Sequence, residues 1–208
     1  MRRRDLLTRL ALGYGFGHIL PILPAQAPRA SNVYLERAVA GRPHQGKVLL
    51  ALQAHSDDIP LNAAGTVAKL IEEGYTGYLV RATNDDMGDA PGLGTPGTIG
   101  EHVLGNERDN ARLVSILGLK SNFDLNYNNH MMAGVSQNEV MARLIFIIRL
   151  VKADTVVCWD PWAHDEENPD HYMLARALEA ACWIAGRKHD FPEHLAAGLE
   201  PHAVREKY

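Results

Sequence analysis

One imidazole and two carboxylates crowd into four residues at His55-Ser56-Asp57-Asp58, immediately after the apolar run from Lys47 to Gln53. Taking such groups out of water together is costly unless they ionise against something, and a divalent metal is the economical counter-charge. The plainer alternative is that Asp57 or Asp58 caps the helix that follows, as Asp often does. A second polar run, Asp160 to His171, lies far downstream and ends in Asp170 and His171.

Elements must bring the two runs together. Residues 47–53 are strongly apolar with no helical stripe and read as a buried strand. Its end lies at the carboxyl edge of a sheet, where open α/β sheets form their ligand crevices. A helix is expected from about Leu61 to Glu73, where Ala64, Val67, Ala68, Leu70 and Ile71 make an apolar stripe and Gly74 stops it. Residues 78–83 read as the second strand. Asn84-Asp85-Asp86 then opens a Gly- and Pro-rich loop to about Gly105, of a length that is functional or disordered in compact domains. A helix over about Glu107–Leu117 ends at Gly118, a short strand spans Phe123–Asn126, and a helix over about 137–152 precedes a buried strand at 155–159. The last clear helix is expected over about 172–185. Strands alternating with helices argue an α/β fold, a Rossmann-like three-layer α/β/α sandwich with a mostly parallel sheet. Each polar run then follows a buried strand and precedes a helix, so both face one sheet edge and His55, Asp58 and His171 can converge.

The chain has 208 residues, 46% of them hydrophobic and 22% charged, which is ordinary for a globular protein with one main domain. A net charge of −4 gives no electrostatic reason to expect nucleic acid or an anionic membrane as partner. Cys158 and Cys182 lack ligand spacing and read as small buried hydrophobes, a disulfide between them staying open. The start, Met1-Arg2-Arg3-Arg4-Asp5-Leu6-Leu7, leads through an apolar stretch to Ala25-Gln26-Ala27. Residues 1–27 therefore read as a twin-arginine signal peptide and the protein as exported, periplasmic or extracellular; an attached leader and a cytoplasmic protein are the alternative. Residues 28–46 read as a linker or surface arm and 47–208 as the functional domain. No other segment is long and apolar enough to span a bilayer.

These residues resemble the PIG-L/LmbE-like deacetylases, zinc hydrolases that remove acyl groups from N-acylated amino sugars. The family's Ala-His-Pro-Asp-Asp motif reads Ala54-His55-Ser56-Asp57-Asp58 here, and its late His-Pro-Asp-His reads Asn168-Pro169-Asp170-His171. Between them, Gly65 lies in the following helix, Thr83-Asn84-Asp85 stands for Thr followed by Asp/Asn-Gly, and Leu117-Gly118 closes a helix. The resemblance implies a metal, Zn2+ or another divalent transition metal, held by His55, Asp58 and His171, with an open position for water. It implies Asp57 as the general base on that water and as the donor of its proton to the departing amine. It further implies a small N-acylated sugar or glycoconjugate as substrate.

Three departures stand out. Ser56 replaces Pro, which reads as incidental. Asp85 replaces Gly and adds a carboxylate near the mouth of the site. Asn168 replaces a histidine that the family uses on the oxyanion or in proton transfer; Asn can donate a hydrogen bond but cannot shuttle a proton. Either Asp57 then does all the proton work, or a histidine such as His164 or His130 fills in. Asp170 is expected to orient a neighbouring ligand, with a helix N-cap as the rival reading. Arg108, Asn84, Asp85 and His130 are expected to contact substrate, although Arg108 reads equally as a surface residue and Asn129-His130 as a plain polar loop. Trp159 and Trp162 could stack on a sugar, core packing being the commoner use. Asp165, Glu166 and Glu167 read as a solvated run. The segment after Phe191 is polar and without a further clear element. Two other readings are a metal-retaining sugar-binding protein with weak or lost catalysis, and a nucleotide-binding module, which lacks its glycine-rich signature here.

Overall fold

The computed structural model describes residues 39–87 and 97–208. The leader expected over 1–27, most of the arm and the centre of the loop after Asp86 lie outside the described residues. Strand β1 (Val48–Gln53) is apolar from Val48 to Leu52 because both of its faces are covered. Leu49 and Ala51 pack to one side with Val67 and Leu70 of helix α1 (Ala64–Glu72) and with Leu117 and Leu119. Leu50 and Leu52 pack to the other with Val140, Leu144 and Ile148 of helix α3 (Gln137–Val151) and Leu174 and Leu178 of helix α4 (Pro169–Ala185). Period-two alternation along the strand thus feeds two cores and makes the three layers.

The sheet also contains β2 (Thr76–Thr83), β3 (Asn122–Tyr127), β4 (Thr155–Val157) and β5 (Glu206–Lys207), in the order β3-β2-β1-β4-β5 with every pairing parallel. The chain runs outward from β1 through β2 to β3, then returns to place β4 on the other side of β1. The gap between the ends of β1 and β4 is therefore the topological switch point, where such sheets open a crevice. Gly74, between α1 and β2, has φ 115°, and a β-carbon there would sit 2.8 Å from the Gln45 backbone nitrogen. Only glycine makes that turn cheaply.

Several boundaries differ from the sequence reading. A π-helical turn (Ile59–Ala63) precedes α1. Helix α2 (Ile99–Ile116) begins well before Glu107, because Thr98 and Glu101 form a reciprocal capping box. Helix α4 begins at Pro169 because Asn168 caps it and proline suits the first turn. The segment after Phe191 holds a short helix α5 (Pro192–Ala196) and the edge strand β5. Arg149, almost wholly buried, organises that return by donating to the carbonyls of Ala185, Arg187 and Asp190 at 3.0, 3.0 and 3.1 Å. Cys158 and Cys182 are free thiols, both pushed up to about 12 by burial. Among the described residues no helix is long and apolar enough to cross a membrane.

Candidate metal centre

His55 and Asp58 follow β1, and His171 lies in the first turn of α4, after β4. Three of their atoms face one point. His55 Nδ1 lies 3.0 Å from His171 Nε2 and 3.7 Å from Asp58 Oδ1, and His171 Nε2 lies 3.2 Å from that same oxygen. A tetrahedral ion with bonds of about 2.0–2.1 Å separates its ligand atoms by roughly 3.3–3.4 Å, so the triangle is the size such an ion needs. The group meets the geometric requirement for holding a metal ion.

The remaining polar atoms of these three side chains are already engaged, which fixes which atom faces the centre. Asp58 Oδ2 accepts the N–H groups of Ala54 at 2.7 Å and His55 at 3.0 Å, leaving Oδ1 inward. His55 Nε2 meets Asp170 Oδ2 at 3.2 Å, and His171 Nδ1 meets Glu166 Oε2 at 2.9 Å. A carboxylate behind each imidazole sets its tautomer and its aim, the usual arrangement around metal-binding histidines. Trp159 stacks on the His171 ring, 4.1 Å between centroids and 7° between planes.

The electrostatics of these groups follow from that packing. Burial opposes charge on His55, but the bonds from Asp170 and Asp58 outweigh it and raise the imidazole to about 10. Burial likewise opposes charge on Asp58, yet His171 and His55 hold it well below the ordinary carboxylate range. His171 is raised as well, burial being outweighed by Asp58 and Glu166. Asp57 goes the other way: burial and the neighbouring Asp58 charge raise it. Two adjacent carboxylates are thus pushed apart, one held as an anion and the other made more basic, the signature of a division of labour.

Asp57 lines the same cavity as the triangle, a cleft of about 630 Å3 that also presents Asn129, His130 and Asn168. Asp170 has no exposed surface and is not the cap of α4. Its Oδ2 accepts the His130 N–H at 2.6 Å as well as facing His55, and its Oδ1 accepts the Met132 N–H at 3.0 Å. The cap is Asn168, whose Oδ1 accepts the Asp170 N–H at 3.0 Å. His130 is brought to the site, its ring edge-on to His55 with centroids 5.9 Å apart and its backbone at φ 60°.

The other residues expected at the site are divided between the cavity wall and the surface. Arg108 is exposed and off the cavity wall, since the cavity face of α2 carries Asn106, Asp109 and Leu113. Asn84 turns its Oδ1 back to the Asp86 N–H at 3.3 Å and serves its own loop. Asp85 does line the cavity, but its carboxylate is bonded to Ser56 N–H and Asn129 Nδ2. His164 is 77% exposed, paired with Asp160 and outside the cavity lining. Trp162 is 70% exposed and lies outside the cavity lining. Glu166, read as part of a solvated run, is the residue the sequence reading missed; its signal was a carboxylate placed five residues before a candidate ligand.

Fold and site together define a Rossmann-like α/β protein with a candidate three-ligand metal centre at its switch point. The chain belongs to the PIG-L family, GlcNAc-PI de-N-acetylase, whose pattern matches residues 50–182. It is 28% identical over 161 residues to the diacetylchitobiose deacetylase of Thermococcus kodakarensis, covering 76% of this chain and 58% of that protein. It is 29% identical over 186 residues to the 1D-myo-inositol 2-acetamido-2-deoxy-alpha-D-glucopyranoside deacetylase of Streptomyces scabiei, covering 78% and 54% respectively. The chain thus spans little more than half the length of these two relatives. Its fold matches that of the N,N'-diacetylchitobiose deacetylase from Pyrococcus horikoshii with a TM-score of 0.68 at 24% identity, covering 76% of this chain and 58% of that one.

Proposed function

We propose that the protein is a metal-dependent deacetylase acting on N-acetylated amino sugars or their conjugates. The observation that carries this reading is the triangle of His55 Nδ1, Asp58 Oδ1 and His171 Nε2 with Asp57 on the same cavity wall. Both relatives above are deacetylases by name, and the cleft is of ligand-binding size. His55, Asp58 and His171 would hold the ion, and a set of two borderline imidazole nitrogens and one carboxylate oxygen suits zinc. Zinc, when bound, supplies acidification of water and polarisation of the amide carbonyl.

The chain's own groups supply the rest. Asp57, with its raised proton affinity, takes the proton of the attacking water as the new carbon–oxygen bond forms. It then returns that proton to the amine nitrogen as the carbon–nitrogen bond breaks. Asn168 has committed its oxygen to the helix cap, so the group it can turn toward a developing oxyanion is its amide N–H. Asp170 and Glu166 keep the two imidazoles aimed while charge changes beside them. The decisive experiment pairs metal analysis with deacetylation of N-acetylglucosamine conjugates by the wild type and Asp57→Asn. The variant is expected to retain zinc and lose roughly 10²–10⁴-fold in kcat, the usual worth of a general base. Full activity in the variant would remove Asp57 from this role. A wild type that holds zinc and sugar without turnover would instead indicate a binding protein.

A further inference from the structure

Ser56 and Asp85 occupy two of the positions where this chain departs from the motifs it resembles, and the fold sets them against each other. The Ser56 backbone N–H donates to Asp85 Oδ2 at 3.2 Å. A proline at that position has no N–H to give. Ser56 Oγ accepts from Arg81 Nη1 at 3.2 Å, and Arg81, with no exposed surface, is anchored through Nε to Asp124 Oδ1 at 2.7 Å. The other Asp85 oxygen accepts from Asn129 Nδ2 at 3.1 Å, and the Asp85 carbonyl accepts from Asn106 Nδ2 at 2.9 Å. The loop bearing His55 and Asp58 is thereby bonded to β2, to the loop after β3 and to α2.

We propose that Ser56, Asp85 and Arg81 form a positioning lock for the loop that carries His55 and Asp58, and that Ser56 and Asp85 are energetically coupled through it. Ser56 stands directly between His55 and Asp57, so rotation about its backbone would swing candidate ligand and base apart. Proline limits that rotation through its ring. Serine leaves it free, and two hydrogen bonds, one to the backbone and one to the hydroxyl, supply the restraint from outside the loop. Asp85 sits at φ 57°, in the left-handed region that glycine occupies at least cost. A side chain is kept in that conformation because its carboxylate ties Ser56 to Asn129. Each departure from the motif is therefore useful because the other is present.

This inference rests on the metal reading above, and its test separates the two. Zinc affinity is measured by competition with a chromogenic chelator for the wild type, Ser56→Pro, Asp85→Gly and the double variant, with thermal melting of each metal-free protein. Each single change is expected to weaken zinc about tenfold or more, in the range of outer-sphere partners. The double variant is expected to be no weaker than the worse single one, since both changes remove the same bond. Single effects that multiply overturn the coupling. A proline variant that folds only together with Asp85→Gly is the same coupling seen in folding. Ser56→Ala keeps the N–H and deletes the hydroxyl, so it carries the test if the proline variants do not fold. It is expected to weaken zinc about tenfold, whereas a lowered melting temperature with unchanged zinc affinity would reduce Arg81 to a structural role and overturn the lock. A wild type that binds no zinc sinks the metal reading instead.

Discussion

At the scale of single residues, the candidate ligands were legible because histidine and carboxylate side chains bind metal ions and are costly to crowd together at a strand end without a counter-charge. Of their supports, Asp170 behind His55 was legible and Glu166 behind His171 was not. Glu166 became a partner of His171 only through the loop that brings its Oε2 to within 2.9 Å of Nδ1. Ser56 looked incidental for the same reason: its partners, Asp85 and Arg81, lie on another strand and the loop beyond it. Glu166→Gln tests the first of these. The amide is the same size but removes the anion behind the imidazole, so zinc affinity is expected to drop about 10- to 100-fold. The amide keeps an oxygen to accept the Asn168 N–H, so the fold should persist, and chelator competition beside circular dichroism distinguishes the two effects. Unchanged affinity in a folded variant would return Glu166 to the solvated run.

At the scale of elements, the strands and the long helices followed from apolar periodicity, while the starts of α2 and α4 did not. Helix α2 opens in a stretch of glycines and threonines that reads as loop, and only the reciprocal bonds of Thr98 and Glu101 carry the helix back to Ile99. Helix α4 opens three residues earlier than its apolar stripe suggests because Asn168 and Pro169 are both favourable starters, one as cap and one in the first turn. That shift matters to the site, since it makes Asp170 and His171 first-turn helical residues with fixed directions. Asn168→Ala is expected to destabilise the protein by about 1 kcal/mol, the usual loss of a cap, as read from chemical denaturation. Asn168→Asp keeps a cap acceptor and should retain that stability. If the alanine variant were as stable as the wild type, Asn168 would have no structural role to set against a catalytic one.

At the scale of the whole molecule, the shared sheet edge was legible from the alternation of strands and helices, whereas the strand order that puts the candidate centre at the switch point was not. Nor was the return after α4: β5 is two residues long, and its path depends on Arg149, a buried charge that no apolar pattern announces. That return is also where stability should sense pH. His194 packs against Phe191 and Phe146, with Nδ1 3.4 Å from Arg149 Nη1. Its proton affinity is lowered by burial and then by the Arg149 charge. A histidine whose folded value lies below the unfolded 6.5 stabilises the fold fully above that pH. Below it the unfolded chain takes up a proton that the folded chain resists, and the contribution is lost as pH falls through the lower folded value. The denaturation midpoint of the wild type is therefore expected to fall more steeply between about pH 7 and 5 than that of His194→Gln, which has nothing to titrate there. Parallel slopes for the two proteins would show that the imidazole is as free to accept a proton in the fold as out of it.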